Sequence, residues 1–565
     1  MQTFSNPHIA KNNTLLLWLL LSWLLLNLVQ AAFIPIDADE AYYWLYAQHL
    51  QWGYFDHPPL VALSIRLGET LDHGAFYTRL GTALFSAGTF YFGFKLLPQS
   101  LQNLKNYLLV FLSVALFHAY GFIATPDASL LFFTTLFFYA YRQFLEKETA
   151  TTILLLAFSI TGLLYSKYHG VLPLFFTFLS NPKLFFKPAA WAVVVLVLLF
   201  FSPHLWWQYQ HDWPTFRYHL FERISSRYKL SKTTDFIAGQ LFIWGPFTTI
   251  PAFFFFFRSR QSYSVYERAH RFTFWGVLIF FLLSSFRSAI EPHWTLVAGP
   301  SFVVLVLRLL VHATAKQTKV FTLLFYSNIF CILLLRVLLV FPQSPLKNVQ
   351  AFDALFFAKA WADRMKIEAA GRPVVFVDSY KFPALYQYYL AENPWDYNTV
   401  NYRKTDFNLR SDAFLNNQSV LLASKYPLSK KDNFFKTPYV NLYVQQLDSF
   451  KAVNALHLAW TNAEAYLKPT STATFSLVLN NSGRDTITTD NLYISYTFIK
   501  TRMELSTLQK PMPFTEKYIV PGSSKLFQLP IMLPKEKGTY RLLFSIVQPP
   551  LSGSFASPVY SVTVD

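Results

Sequence analysis

The feature that most limits what this chain can become is the recurrence of apolar runs of membrane-spanning or near-spanning length. The first, Thr14 to Ile34, follows a short polar start carrying Lys11. Further runs lie at 78–97, 106–124, 127–143, 151–166, 168–181, 188–206, 236–257, 272–289, 293–311 and 319–341. Together they predict about eleven crossings, since a helix needs ~20 apolar residues to traverse a bilayer. The pair at 151–166 and 168–181 is short, which predicts tilt or a break in one or both. Composition agrees: 53% of the 565 residues are hydrophobic and 14% charged, with 60 Phe, 33 Tyr and 14 Trp. A soluble globule could not bury that much apolar surface. The first run reads as a retained helix, not a secretory signal: it is long, lacks a small-residue cleavage site and runs straight into Pro35-Ile-Asp-Ala-Asp-Glu40.

The net charge is +17. In a soluble protein that would favour nucleic acid, but here the cations sit at the ends of apolar segments, which points to membrane lipid as partner and away from nucleic acid. If crossings alternate, Lys105, Arg142 with Lys147, Lys183 with Lys187, the group Arg258, Arg260, Arg268 and Arg271, and Lys316 with Lys319 share one side. That side is expected to be cytoplasmic, with the N-terminus, and the C-terminal region outside. The opposite face receives loop 35–77, the turns Thr125-Pro-Asp127 and Ser166-Lys-Tyr-His169, loop 207–235, and Arg287 to His293. Cys331 is the single cysteine, which leaves no intrachain disulfide or thiol-pair redox site.

Apolar density falls after Pro342. Between 342 and 454 a helical pattern from Val349 to Ala369, a buried-strand run from Val374 to Val377 and an aromatic helix near Phe382 to Leu390 predict a small α/β module. From 455 to 565, alternating runs at Thr474–Leu479, Leu492–Phe498, Ser524–Leu529 and Tyr540–Val547, with turns at Asn480-Asn-Ser-Gly483 and Pro521-Gly522, predict a β-sandwich of immunoglobulin-like size. The expected class is thus a multi-pass α-helical membrane protein, residues 1–341, carrying two extracytoplasmic modules.

Chemistry-bearing residues concentrate in the outer loops. Asp37, Asp39 and Glu40 arrive directly after the first spanning helix, where a partly desolvated carboxylate can accept the proton of an attacking hydroxyl; the alternative is that they merely end a helix at the interface. Lys167 and Asp127 lie between apolar segments, where an ionisable group is expensive unless paired or solvated. Lys167 is the candidate for holding a lipid-linked phosphate, against plain snorkelling to the interface. Loop 207–235 carries Arg217, His219, Arg223, Arg227, Lys229 and Lys232 on the side opposite to the usual basic bias, which calls for an anionic partner. A solvated surface helix anchored by Trp206, Trp207 and Trp213 is compatible with the same charges. His57, His169, His219 and His293 raise a divalent metal, with Asp56 and His219 as candidate ligands, although their spacing matches no compact ligand motif. No Gly-rich phosphate loop or Ser-His-Asp signature is present, which argues against nucleotide hydrolysis and esterase chemistry.

The ordered set Asp39-Glu40, Tyr54-Phe-Asp56-His57-Pro58-Pro59, Thr125-Pro-Asp127, Ser166-Lys167-Tyr168 and Glu291-Pro-His-Trp294 resembles the bacterial protein-mannosyltransferase-like (family 39) superfamily of C-type glycosyltransferases, which includes the lipid A aminoarabinose transferase. The resemblance covers roughly 14–341. It implies a spanning bundle with two amphipathic helices in the first outer loop, at Ala41–Leu50 and Pro59–Leu71, and a bacterial inner-membrane location. It also implies a polyprenyl-phosphate (undecaprenyl-phosphate) sugar donor and an acceptor lipid, glycan or protein. In its terms Asp39 is the catalytic base with Glu40 as companion, Lys167 binds the donor phosphate with His57, Arg217 and Arg223, and Asp56, Asp127, His169, His219, Glu291 and His293 support the site. The aminoarabinose transferase has an acidic-lysine pair before its double proline, where this chain has Asp56-His57.

Two other classes compete. A transporter or flippase of lipid-linked sugars would show mid-helix charge pairs and inverted repeats, neither evident here. A membrane-anchored adhesion protein would leave the outer-loop charges unexplained.

Overall fold

The computed structural model describes residues 7–218, 228–258, 262–461, 466–467, 473–500 and 511–564. The chain divides into two compact units, one running to Leu355 and the other from Phe356 onward.

The first unit is helical: α1 (Pro7–Phe33), α2 (Ala38–Gln48), α3 (Leu60–Glu69), α4 (Ala75–Lys95), α5 (Leu104–Leu112), α6 (Ala115–Ala119), α7 (Pro126–Glu146), α8 (Ala150–Ser166), α9 (Val171–Ser180), α10 (Pro188–Gln210), α11 (Pro214–Arg217), α12 (Leu230–Ile243), α13 (Thr249–Arg258), α14 (Val265–Ser285), α15 (Gly299–Val311) and α16 (Ala315–Val340). Helix starts carry local signals. Capping boxes open α2 (Asp37/Glu40), α8 (Thr149/Thr152), α14 (Ser264/Glu267) and α16 (Thr314/Gln317). Proline at the first position opens α7 and α10. The helices α1, α4, α7, α8 and α10 pack in series, and α9, α14 and α15 form a second series.

Among the described residues four helices are individually long and apolar enough to cross a membrane: Asn13–Phe33, Pro188–Gln210, Pro292–Val311 and Ala315–Val340. Several expected spans are shorter or interrupted. The run 106–124 divides into α5 and α6 at Ser113–Val114, and 236–257 divides into α12 and α13 around Gly245. The cause lies at Gly245, whose φ of 111° is open to glycine and costly for other residues. A Cβ there would stand 2.4 Å from Asn328 Nδ2 and 3.0 Å from the Ser113 carbonyl, so the two interruptions face each other. Asn328 of α16 supplies what the interruption frees: its Oδ1 accepts from the Phe247 N–H at 3.1 Å and its Nδ2 donates to Thr248 Oγ1 at 2.9 Å. Broken helices persist at membrane depth only where protein satisfies the freed backbone in this way.

α16 is also tied to α1. Arg336, buried in α16, donates to Gln30 Oε1 at 3.1 Å, Asn27 Oδ1 at 2.9 Å and His118 Nδ1 at 3.1 Å, and Gln30 donates back to the Arg336 carbonyl at 2.9 Å.

The second unit opens on α17 (Asp353–Ala369), whose first turn belongs to the helical unit. Strands β1 (Val374–Val377), β2 (Trp395–Tyr397), β3 (Val420–Ser424), β4 (Asn433–Phe435) and β5 (Leu442–Leu447) form a sheet of order β2-β1-β3-β5-β4. β1 runs parallel to β2 and β3, and α18 (Lys381–Leu390) crosses from β1 to β2. The strands β6 (Leu456–Trp460), β7 (Tyr466–Leu467), β8 (Ala473–Asn481), β9 (Ile487–Thr488), β10 (Tyr493–Ile499), β11 (Met512–Pro513), β12 (Tyr518–Ile519), β13 (Ser524–Ile531), β14 (Gly538–Val547) and β15 (Tyr560–Val564) follow. They make sheets of order β11-β10-β14-β15-β7 and β13-β8-β6, with β9 paired to β12. Trp460 stacks on Phe475 at 4.3 Å, and both meet Phe544 of the facing sheet at 6.5 Å, which is the sandwich core.

Candidate active site

The turn between α1 and α2 is held rigidly. Asp37 caps α2 by accepting from the Asp39 N–H at 2.9 Å, and Glu40 accepts from the Asp37 N–H at 3.0 Å. Glu40 is fully buried and meets Arg79 of α4 through two bonds, Nε to Oε1 at 2.7 Å and Nη2 to Oε2 at 2.5 Å. The guanidinium also donates to the carbonyls of Ile34 at 2.6 Å and Pro35 at 2.9 Å, and Glu40 Oε1 accepts from the Ala124 N–H at 2.6 Å. One ion pair therefore joins the end of α1, the start of α2, α4 and the turn leading into α7. Glu40 is spent on this frame, and the half-buried Asp39 beside it is the residue the frame presents.

The Ala124 turn brings in Asp127, in the first turn of α7. Lys167, which caps the C-terminal end of α8, donates to both Asp127 oxygens at 2.9 Å, and both side chains are almost closed to solvent. The Thr125 hydroxyl is buried and makes no hydrogen bond among the described residues. The ring of His293 lies 5.8 Å from that of Tyr120. Charges of Asp127, Lys167, Glu291 and Asp39 act on His293, those of Asp127, Asp39, Glu291 and Asp37 act on Tyr120, and His57 acts on Asp127. Residues from five separate stretches of chain thus share one electrostatic neighbourhood.

The first outer loop forms the surrounding wall. Asp56 accepts from Tyr42 Oη at 2.9 Å and Tyr46 Oη at 3.3 Å, and Tyr46 stacks on Tyr54 at 4.1 Å. Trp207 of α10 packs so closely on Gly53 that a Cβ there would come within 2.4 Å of the indole. His204 fixes the same loop through Nδ1 to the Trp52 carbonyl at 2.6 Å, while its Nε2 meets Tyr168 Oη at 2.9 Å. α2, α3 and α4 converge on Glu69, which accepts from Trp44 Nε1 at 3.0 Å and Thr78 Oγ1 at 2.6 Å and bonds His73 Nδ1 at 2.9 Å. Burial pushes the Glu69 carboxyl up, but these bonds together outweigh it and hold it below its ordinary value.

Not every expected residue joins the cluster. His169 packs its ring against Trp294 at 5.1 Å and Phe281 at 5.2 Å. Arg217 is paired with Asp212 at the surface. His219, Arg223 and Arg227 lie outside the described residues. Among the described residues no group of three or more His, Cys, Asp and Glu side chains is arranged to hold a metal ion. Sequence reasoning missed Arg79, Tyr120 and Arg336. Arg79 and Arg336 carried a usable signal, a guanidinium within an apolar run, which calls for a partner; Tyr120 carried none.

With this geometry in hand, relatives can be compared. The family model described as dolichyl-phosphate-mannose-protein mannosyltransferase matches residues 56–207. The crystal structure of ArnT from Cupriavidus metallidurans in the apo state superposes with a TM-score of 0.56 at 12% identity, over 77% of this chain and 98% of that one. This chain has the ArnT fold. ArnT bound to undecaprenyl phosphate superposes at a TM-score of 0.54 and 11% identity, over 76% of this chain and 97% of ArnT. No curated protein matches the sequence. The ArnT likeness extends past the helical unit, because 77% of the chain exceeds residues 1–341.

Proposed function

We propose that the protein is an integral-membrane glycosyltransferase that moves a sugar from a polyprenyl-phosphate donor to a hydroxyl of a lipid, glycan or protein acceptor. The observation that carries this reading is Asp39, presented by the Glu40–Arg79 frame into the neighbourhood of Asp127, Lys167 and His293. Support comes from the family match and from undecaprenyl phosphate bound to ArnT.

In the proposed step Asp39 takes the acceptor hydroxyl proton as that oxygen bonds to the anomeric carbon. The bond from that carbon to the phosphate oxygen breaks, the electron pair leaves with polyprenyl phosphate, and the configuration inverts in a single displacement. Lys167 neutralises the leaving phosphate, exchanging one Asp127 oxygen for a phosphate oxygen. Thr125 offers its buried hydroxyl to the sugar. Glu40 positions Asp39 and does not touch substrate. The reading places the chain in a bacterial inner membrane by about eleven crossings, with the site and both C-terminal modules outside the cytoplasm.

The interrupted helices around Gly245 favour a second reading, a transporter of lipid-linked sugars, since such proteins use broken helices at their binding sites. Here, however, Asn328 fills the interruption.

The test is transfer from a synthetic polyprenyl-phosphate sugar by purified protein. Asp39→Asn should lose about 10²–10⁴-fold in rate, the usual span for general-base catalysis, while still binding donor, and NMR should show an inverted product. Parental rates in Asp39→Asn, or a retained configuration, would overturn the mechanism. Movement of donor across vesicles without transfer would establish the transporter.

A further inference from the structure

We propose that the end of the helical unit remote from Asp39 holds a binding site for an anionic phospholipid, an inference that rests on the membrane-embedded reading of this unit. A cavity of about 190 Å³ opens where α13 ends, α14 begins, α15 ends and α16 begins. Arg308, on its wall, lies fifteen residues beyond His293 along the same helical stretch, a separation of roughly 25 Å at helical rise. The cavity is therefore not part of the Asp39 neighbourhood.

Its walls and its mouth differ in chemistry. Phe255, Phe256, Leu305, Leu309 and Phe321 make the apolar walls, whereas Tyr263, Arg308, His312 and Gln317 are polar. The Arg308 guanidinium lies 4.4 Å over the Tyr263 ring, and that of Arg271 lies 4.9 Å from the same ring. Arg308 pairs with Glu267 and donates to the Ser262 carbonyl at 2.6 Å, yet among the described residues its buried Nε has no hydrogen-bond partner. Glu267 is further engaged by the Ser264 N–H at 2.9 Å and Ser264 Oγ at 2.8 Å. Within 262–272 and 308–319 the chain carries Arg268, Arg271, Arg308, Lys316 and Lys319 against one carboxylate, Glu267.

A mouth with more cations than carboxylates over an aromatic cavity selects an amphiphile with an anionic head. A cavity near 150 Å³ accepts benzene, so this one takes a short stretch of acyl chain, with the rest of the lipid along the helices. The phosphodiester would meet Arg271 and the rim of Arg308. Inorganic phosphate alone would gain nothing from the phenylalanine walls.

Native mass spectrometry of the full chain in detergent tests this with dioleoylphosphatidylglycerol, dioleoylphosphatidylcholine, inorganic phosphate and polyprenyl phosphate as probes. Phosphatidylglycerol should be retained about tenfold over phosphatidylcholine, the effect of one to two added cationic contacts, and millimolar phosphate should not displace it. Arg271→Gln, which leaves the Arg308–Glu267 pair intact, should reduce that retention about fivefold. Ala313→Phe, which fills the cavity, should reduce it as well, and polyprenyl phosphate binding should be unchanged in both variants. Equal retention of the two phospholipids, displacement by phosphate, or full retention in Arg271→Gln would each overturn the proposal. Because Arg271 is exposed, that variant stays informative even where Ala313→Phe fails to fold.

Discussion

Glu40 and Arg79 face each other through two bonds of 2.7 and 2.5 Å with neither side chain open to solvent, and between them they organise the turn that carries Asp39. Breaking such a pair by removing one partner strands the other charge in a low-dielectric interior, at a cost of about 3–5 kcal/mol.

Arg79→Gln should therefore lower the melting temperature and depress kcat, because Asp39 loses its frame, while the donor dissociation constant stays near the parental value. Glu40→Gln should destabilise as well, since it leaves the Arg79 charge buried without a counter-charge and turns an amide NH2 toward groups that donate to Glu40. Thermal unfolding together with donor binding separates the two effects. Undiminished kcat in a folded Arg79→Gln protein would detach Glu40 and Arg79 from the site.

The Asp127–Lys167 pair invites a double-mutant cycle. Lys167→Ala alone leaves Asp127 buried and unpaired, so it should be strongly destabilising, again by about 3–5 kcal/mol. Lys167→Ala with Asp127→Asn should recover most of the stability but none of the donor affinity. Recovery of donor binding in the double variant would show that Lys167 serves only to neutralise Asp127.

A third expectation concerns pH. Burial pushes the carboxyls of Asp396 and Asp412 in the second unit up to about 7. For Asp396 the charge of Asp378 adds to this, opposed by the Ser379 N–H at 3.1 Å and the Thr405 hydroxyl at 3.1 Å. Between the ordinary value of 3.8 and about 7 the folded chain binds more protons than the unfolded one, so stability falls as pH rises through this window and is fully present below it. Unfolding of the full chain followed at pH 5 and pH 8 should show the acidic sample as the more stable, and Asp396→Asn should flatten the difference. An Asp396→Asn protein with the parental slope would remove this carboxyl as the cause.

At the helix interruption, Asn328→Leu should orphan the Phe247 N–H and the Thr248 hydroxyl and cost about 1–3 kcal/mol, the penalty for an unsatisfied buried polar group. Gly245→Ala should also destabilise, through both its φ and the contact with Asn328. Parental melting temperatures in both variants would mean that the interruption relaxes freely.

Elements with a strong local signature were legible in the sequence. Val374–Val377 is a strand of the α/β sheet as read, and the alternating runs of the C-terminal region became β8, β10, β13 and β14 with ends moved by one or two residues. The two first-loop helices also formed, displaced to Ala38–Gln48 and Leu60–Glu69 because the Asp37 cap starts one and the double proline precedes the other. What depended on distant chain was not legible. Hydropathy sees no difference between a continuous apolar run and one interrupted at Gly245, whose partner Asn328 is eighty-one residues from Phe247. In the candidate site, Asp39, Asp127 and Lys167 stood out as charges in apolar surroundings, and ion-pair chemistry anticipated partners for them. That Lys167 would choose Asp127, and Glu40 would choose Arg79, is a matter of tertiary geometry. Arg217 shows the converse, since a suggestive run of cations resolved locally into a pair with Asp212.

The Arg336 contacts carry a consequence for biogenesis. Asn27 and Gln30 leave the ribosome with α1, His118 follows with α6, and the guanidinium that engages all three arrives only with α16, the last helix of the unit. Until then the amino-terminal segments would sit in lipid with polar faces awaiting a mate. A chain truncated before residue 336 should accordingly linger at the insertion machinery or be degraded, as measured by pulse-chase, so that translation of the bundle's final span licenses release of its first.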